Sequence, residues 1–231
     1  DAKVLLDQAK SKGIKGADFD QLEQRLNEAS KAIVIKPDYA DSHHNMGVAL
    51  QNQGNLEEAI EAYCKALAIK PDHALAYYNM ANALQAQGNL KEAIEAYRKA
   101  LAIKPDYADS HKNMANALQA QGNPKEAIKA YRKALAIKPD YADAFNNMGY
   151  ALQAQGNLEE AIEAYCKALA IKPDYVLAYY NMANAFQAQG NLKEAIEAYS
   201  KALAMNPDYV AAYFNMANAF QAQGNLKEAI E

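Results

Sequence analysis

The sequence of 231 residues predicts an all-α fold, built as a solenoid of antiparallel helix pairs. The first observation is a fixed period, because six prolines stand 34 residues apart: Pro37, Pro71, Pro105, Pro139, Pro173 and Pro207. The second is that apolar residues recur with helical spacing on both sides of a Gly-Asn pair between successive prolines. A short unit that recurs at a fixed period buries its apolar face only against its neighbours, which is the organisation of a solenoid.

Each unit has the turn and cap residues of a helical hairpin. Gly88 suits the left-handed position that ends a first helix, and Asn89 is expected to cap the second helix, with Glu92 in capping-box position. Pro105 then ends the second helix, and Asp106 is expected to cap the helix that follows.

Large, small and aromatic residues recur in the same order from unit to unit. In the second full unit this order reads Tyr77, Met80, Ala81, Leu84, Ala93, Tyr97 and Pro105. It resembles the tetratricopeptide repeat (TPR), and the resemblance covers residues 40–231. The repeats are similar in style to the TPR region of O-GlcNAc transferase-like proteins. The resemblance implies a right-handed α-solenoid, the TPR superhelix.

The repeat pattern divides the chain into an atypical start, five full units and one partial unit. Residues 1–39 are expected to form a degenerate N-terminal capping repeat, with helices over about 2–10 and 19–35. The full units cover residues 40–73, 74–107, 108–141, 142–175 and 176–209, and the partial unit covers 210–231. Because the last unit stops inside its second helix, we expect that the natural chain continues or that this end stacks on another molecule.

The composition argues against several classes of function. The net charge of −4 provides no basic surface for nucleic acid. No apolar run in the sequence is long enough to cross a membrane. Cys64 and Cys166 occupy the same repeat position three units apart, too far for a disulfide, and exposed unpaired thiols fit a cytoplasmic location.

One face of each first helix is the candidate binding site. Counted from the first residue of a unit, positions 2, 5, 6, 9 and 12 share one helix face, and in TPR proteins this face lines a concave groove. Position 6 is Asn in every unit, position 9 is Asn in four units, and position 5 varies. The predicted peptide-binding residues are Asn45, Tyr78, Asn79, Asn82, Lys112, Asn113, Asn116, Asn147, Tyr150, Tyr180, Asn181, Asn184, Asn215 and Asn218.

The amides of this face give a chemical reason for peptide binding. A primary amide donates and accepts hydrogen bonds, so a row of amides can bind the N–H and C=O groups of an extended peptide. Each bond contributes only about 0.5–1.5 kcal/mol, so several must act together. Asp109 and Asp143 lie beside the row, and the expected partner is a protein or peptide that is not strongly acidic. Replacing Asn113 and Asn147 by Ala is then expected to weaken binding and to leave stability nearly unchanged.

Three alternatives stay open on the sequence. The asparagines could serve only to connect neighbouring helices. The chain could be the substrate-recognition TPR arm of a larger, glycosyltransferase-like enzyme whose catalytic domain follows residue 231. It could also be a scaffold that self-associates end to end through its unfinished last unit.

No cofactor, metal ion or catalytic site is predicted, and the chain is not expected to be an enzyme. His43 and His111 occupy position 4, where other units carry Tyr77 or Phe145, and are expected to be packing residues. The histidines and cysteines show no metal-ligand spacing. No nucleophile stands beside a base, and each glycine that follows a first helix is needed for its turn.

Overall fold

The fold is all-α and consists of helical hairpins. The computed structural model describes residues 37–225, and within this range it contains eleven α-helices and no β-strand. The predicted helical-repeat fold is therefore confirmed. The predicted helices at 2–10 and 19–35, which make up the capping repeat, and the last six residues of the partial unit lie outside the described residues. The chain separates into two compact units, residues 1–72 and residues 73–231.

The described part of the first compact unit is a single hairpin. Its helices are α1 (Pro37–Asn52) and α2 (Leu56–Ile69), which pack against each other. Tyr63 of α2 is fully buried, and its ring lies so close to Gly47 that a Cβ at residue 47 would come within 2.6 Å of the ring. A larger residue at position 47 would therefore displace the tyrosine.

The described part of the second compact unit continues the hairpins. Its helices are α3 (Ala74–Ala86), α4 (Leu90–Ile103), α5 (Ala108–Ala120), α6 (Pro124–Ile137), α7 (Ala142–Ala154), α8 (Leu158–Ile171), α9 (Val176–Ala188), α10 (Leu192–Met205) and α11 (Val210–Gln223). The odd-numbered helices are the first helices of the hairpins. Each helix packs against the next one along the chain, and successive first helices also touch each other.

Small residues and one large tyrosine per hairpin form the core of this second unit. Ala81 of α3, Ala93 of α4 and Tyr97 of α4 are all fully buried in one continuous apolar cluster. Alanine at helix contacts lets the helices approach closely, and the tyrosine supplies apolar area whose burial contributes roughly 1.5–3 kcal/mol. A buried tyrosine hydroxyl needs a hydrogen-bond partner, and that requirement determines the polar network described in the next section.

The turn between paired helices is formed as the sequence predicts. Gly88 has a φ of 82°, the left-handed conformation that glycine adopts without strain. The N–H of Asn89 donates to the carbonyl of Leu84 at 2.9 Å, and the N–H of Gly88 donates to the carbonyl of Gln85 at 3.0 Å. These two bonds define a Schellman motif, so the glycine prediction is confirmed.

The predicted side-chain caps are wrong. Asn89 stands at the start of α4 but makes no capping bond, because its Nδ2 donates instead to Gln87 Oε1 at 3.1 Å. Its backbone, with ψ of 63°, also differs from the extended conformation typical of a capping residue. The helix after Pro105 begins at Ala108 with Tyr107 in the cap position, so Asp106 stands outside that position.

Candidate functional site

The predicted site residues all lie on first helices. Asn45 is on α1; Tyr78, Asn79 and Asn82 are on α3; Lys112, Asn113 and Asn116 are on α5; Asn147 and Tyr150 are on α7; Tyr180, Asn181 and Asn184 are on α9; Asn215 and Asn218 are on α11. We call the members on α3 to α11 the amide row. Because successive first helices of the second compact unit touch, the row brings side chains of neighbouring hairpins together.

The amides of the row bond to the buried tyrosines and to each other. Tyr97 Oη donates to Asn82 Oδ1 at 2.6 Å and also lies 2.9 Å from Gln85 Oε1. Asn113 of the next hairpin donates through Nδ2 to Asn82 Oδ1 at 2.9 Å and to Tyr78 Oη at 3.0 Å. We call this arrangement the regular junction. Its hydrogen bonds connect one hairpin to the next through side chains 31 and 35 residues apart.

The regular junction recurs further along the chain. Tyr199, Asn184, Asn215 and Tyr180 repeat it 102 residues later, with distances of 2.6, 3.0 and 3.1 Å. Between α5 and α7 the core of the same arrangement recurs, with Asn147 Nδ2 3.0 Å from Asn116 Oδ1.

This bonding fixes which half of each amide stays available. Asn113 uses its Nδ2 for two hydrogen bonds, so its Oδ1 is the group left to accept one. Asn116 Oδ1 accepts from Tyr131 Oη and from Asn147 Nδ2, so its own N–H groups are left to donate. Asparagine orientations are assigned from such networks. At this junction the row therefore presents the acceptor Asn113 Oδ1 and the donor Asn116 Nδ2, whereas Asn147 Oδ1 already accepts from Asn146 Nδ2 at 3.1 Å. The amides also connect hairpins.

The aromatic residues of position 5 pack within the protein at the regular junctions. Tyr78 lies 4.7 Å from Tyr107 and 6.1 Å from Tyr97 between ring centroids, and Tyr180 repeats the arrangement with Tyr209 at 4.8 Å. Burial raises the pKa of the Tyr78 hydroxyl, and the hydrogen bond with Asn82 opposes that shift. These half-buried rings contribute to contact between hairpins.

The junction between α7 and α9 departs from the regular pattern. Tyr150 replaces the position 9 asparagine, so Tyr165 Oη bonds only Gln153 Oε1, at 3.1 Å. Asn181 Nδ2 donates instead to Asn146 Oδ1 at 3.1 Å, and Asn146 is only 1% exposed. We call this arrangement the interrupted junction. Its amides are redirected into the protein, and Tyr150 is left 55% exposed.

A cavity of about 490 Å³ opens along the row at the interrupted junction. We call it the row pocket. Its lining combines aromatic and apolar groups with amides from three successive hairpins: Asn116, Gln119, Ala120, Tyr131, Asn146, Asn147, Tyr150, Leu177 and Asn181. Four of these residues, Asn116, Asn147, Tyr150 and Asn181, are predicted site residues. Three further lining residues, Leu177, Gln119 and Asn146, share the helix face but are absent from the predicted set. Asn146 stands at position 5, where the neighbouring unit carries Tyr180.

The charged residues beside the row are engaged with tyrosines. Tyr141 Oη donates to Asp109 Oδ1 at 2.5 Å, and Lys112 Nζ lies 5.1 Å from the centroid of the Tyr141 ring. Burial, followed by the hydrogen bond with Asp143, raises the pKa of Tyr175 to about 12.

The described residues contain neither a metal-ligand cluster nor a membrane-spanning helix. From residue 37 to residue 225, no group of three or more His, Cys, Asp or Glu side chains is arranged to hold a metal ion. In the same range, no helix combines the length and the apolar character required to span a bilayer. His111 is buried, as expected for a packing residue.

Sequence comparisons identify the repeat throughout the described range. Family profiles described as "Tetratricopeptide repeat" match residues 38–106, 72–140, 106–174 and 152–201, and a profile described as "TPR repeat" matches residues 184–224. A search of curated proteins returned no match.

Several solved structures are similar to this chain. The crystal structure of MamA aligns with a TM-score of 0.69 at 26% identity and covers 74% of this chain and 93% of MamA. YrrB, described as a TPR protein with an unusual peptide-binding site, aligns with a TM-score of 0.68 at 27% identity, covering 79% and 94% of the two chains. Pseudomonas aeruginosa pilF, at 23% identity and a TM-score of 0.70 over 83% and 89%, is similar in fold alone.

Proposed function

The chain belongs to the tetratricopeptide-repeat family, and from this premise we propose that it is a non-catalytic scaffold that binds an extended peptide along the amide row. The row pocket is the observation that carries the proposal, because it joins polar and apolar groups of three hairpins in one cavity. The peptide-binding site named for YrrB supports a peptide as the kind of ligand.

The fixed amides match the groups of a peptide backbone. An extended peptide presents N–H and C=O groups in alternation, and the row offers acceptors such as Asn113 Oδ1 and donors such as Asn116 Nδ2. Because the internal network already holds these amides in place, little side-chain entropy is lost when they bind. Each backbone bond contributes only about 0.5–1.5 kcal/mol, so the backbone alone gives weak, sequence-independent affinity.

The row pocket supplies the larger and more selective contribution. Tyr150 and Leu177 are 55% and 42% exposed, and they form apolar walls that a side chain of the peptide can cover. Burial of a leucine or phenylalanine side chain contributes roughly 1.5–3 kcal/mol, more than one backbone hydrogen bond. The preferred ligand is therefore an extended, uncharged or mildly basic peptide with one large apolar side chain.

A matched pair of leucines tests this function. Leu177 and Leu75 both occupy position 2 and are both 42% exposed, but only Leu177 lines the row pocket. Aspartate stands at this position in other units, as Asp109 and Asp143 do, so Leu177→Asp and Leu75→Asp should both fold. Binding is measured by fluorescence anisotropy, using peptides of about twelve residues selected from an array, a length of roughly 40 Å when extended.

We expect Leu177→Asp to weaken peptide binding about tenfold or more and Leu75→Asp to leave it unchanged. Equal effects of the two substitutions, or no effect of either, would overturn the role of the row pocket. The hydrogen bonds of Asn113 and Asn147 also change what is expected of the double substitution to Ala. Because both amides bridge hairpins, it should lower the free energy of unfolding by about 1–2 kcal/mol, measured by urea denaturation, as well as weaken peptide binding.

A further inference from the structure

A second cleft lies outside the amide row, between α4, α5 and α6. It has a volume of about 650 Å³, and its lining includes apolar side chains of Leu101, Met114 and Ile137 together with the cations Arg98 and Lys133. We call it the outer cleft. No residue of the amide row lines it, so it is separate from the peptide site proposed above.

The outer cleft occurs where a histidine stands in place of a tyrosine or phenylalanine. In the next hairpin a lysine covers that ring, since Lys167 Nζ lies 5.9 Å from the centroid of Phe145, and units with tyrosine at this position show the same pairing. In the hairpin of α5 and α6 the ring is the smaller imidazole of His111, and the equivalent Lys133 lines the cleft beside it. Imidazole is smaller than the tyrosine and phenylalanine rings that the other full units of the second compact unit carry at this position, which leaves space beside Lys133.

Lys133 also lacks the acidic neighbour that its equivalents have. In the other full units a glutamate stands four residues before this lysine, as in the Lys65–Glu61 pair at 2.7 Å. Lys129 takes that place before Lys133. Among the residues that the structure describes, Lys133 forms no ion pair. Its charge is therefore available to an anion in the cleft.

His111 adds a directional group to the cleft. The side chain is 7% exposed, and Nε2 lies 2.9 Å from the carbonyl oxygen of Pro105, to which it donates its proton. Nδ1 is then the acceptor nitrogen, and it is buried without a hydrogen-bond partner in the described part of the chain. Burial lowers the pKa of His111 and so favours the neutral ring; the hydrogen bond to the Pro105 carbonyl opposes this shift and the charge of Lys133 adds to it.

From these features we propose that the outer cleft binds a small aromatic carboxylate that carries an N–H donor, of the indole carboxylate class. The apolar side chains of Leu101, Met114 and Ile137 contact the aromatic ring. Lys133 and Arg98 attract the carboxylate, although Arg98 also pairs with Glu95 at 3.5 Å. Nδ1 of His111 accepts the ligand N–H, which gives this buried nitrogen the partner it lacks within the protein.

Titration with indole-3-acetate tests the proposal directly. We expect backbone amide NMR signals of residues 98–137 to shift with saturation, at a dissociation constant on the order of 1 mM for a ligand of this size. 1-Methylindole-3-acetate lacks the N–H and methyl indole-3-acetate lacks the charge, so each should bind about fivefold more weakly or worse. Absence of saturable shifts up to about 10 mM, or shifts confined to the amide row, would overturn the proposal.

Two substitutions with matched controls separate the cleft from a general surface effect. His111→Phe introduces the residue that the next unit carries as Phe145, so the hairpin should fold, and binding of indole-3-acetate should fall about tenfold or more. Lys133→Gln should weaken binding about fivefold, while Lys167→Gln at the equivalent position should not change it. Undiminished binding by His111→Phe, or equal effects of the two lysine substitutions, would contradict the assignment. Peptide binding at the amide row should persist in His111→Phe. The test of the outer cleft is therefore independent of the test of the peptide site.

Discussion

The regular and interrupted junctions use the same backbone for two different side-chain networks. At the regular junction, Asn82 Oδ1 accepts from Tyr97 and from Asn113 of the next hairpin. At the interrupted junction, Tyr150 stands in place of that asparagine, and Tyr165 keeps a single amide partner. The helices pack in the same order at both places. The repeat therefore tolerates the loss of one connecting amide, and it is at this junction that the row pocket lies.

The residue before position 9 differs between the two junctions as well. Gly149 precedes Tyr150, and a Cβ at residue 149 would lie 2.7 Å from the ring of Tyr165. Gly47 stands in the same relation to Tyr63 and is followed by Val48, again in place of asparagine. Where position 9 is asparagine, position 8 is alanine. Glycine thus accompanies the loss of the amide, because the tyrosine ring takes the space of the missing methyl group.

Alkaline pH should remove the difference between the junctions, and this is the largest effect we expect. Burial, followed by the charges of Tyr78 and Asp109, raises the pKa of Tyr107 at a regular junction to about 12, and burial raises that of Tyr175 beside the interrupted junction to about 12. Unfolded tyrosine ionises near pH 10, so stability is fully present below pH 10 and is lost as the pH rises from 10 towards 12. Circular dichroism and tyrosinate absorbance should change together in this window. Ionisation of all the tyrosines near pH 10 with retained helix would contradict this expectation.

Gly149→Ala should lower the free energy of unfolding at the interrupted junction by up to about 2 kcal/mol. Helix propensity alone favours alanine by about 1 kcal/mol, but the added methyl group collides with the ring of Tyr165, and overpacking costs roughly 1–3 kcal/mol. We expect a net loss in the free energy of unfolding, measured by urea denaturation.

A second substitution sharpens this test. Adding Tyr150→Asn to Gly149→Ala recreates the Ala81–Asn82 pair of a regular junction, so the double variant should recover more than half of the loss. Ala81→Gly is the control at a regular junction and should be destabilising, by about 1 kcal/mol. A Gly149→Ala variant more stable than the unmodified chain would show that the close approach has no energetic consequence.

Removal of the tyrosine hydroxyls should give the smallest difference. Tyr97 Oη has two amide oxygens within 3 Å, whereas Tyr165 Oη has one partner at 3.1 Å. Tyr97→Phe should therefore lower the free energy of unfolding by about 1–1.5 kcal/mol and Tyr165→Phe by about 0.5 kcal/mol, both from urea denaturation. Equal losses would mean that the connecting amide contributes nothing to the regular junction.

The fold could be predicted from the sequence, because a 34-residue proline period, a turn glycine and helical spacing each depend on residues close in the chain. The network of the amide row could not, since its bonds join residues 15, 31 and 35 apart and depend on how hairpins stack. The sequence does contain part of the information needed to predict this network. A fully buried tyrosine needs a polar partner, and the asparagine and glutamine of the preceding helix are the nearest candidates.

The outer cleft shows a different limit of sequence analysis. His111 is predicted correctly as a packing residue, but the space left beside it depends on the difference in size between imidazole and phenol rings. The change from glutamate to Lys129 is visible in the sequence, and its significance appears only when α5 and α6 are placed together.

The recurrence of the regular junction after 102 residues also constrains how such a chain can change length during evolution. A gene recombining with itself out of register by three units would remove residues 108–209 and join Tyr107 to Val210. Asn215 now bonds Asn184 and Tyr180. After the deletion it would face Asn82 and Tyr78, which are the same residue types at the same repeat positions. A loss of three whole units therefore leaves a native junction at the seam, and the same reasoning allows the chain to grow by duplication in steps of 102 residues.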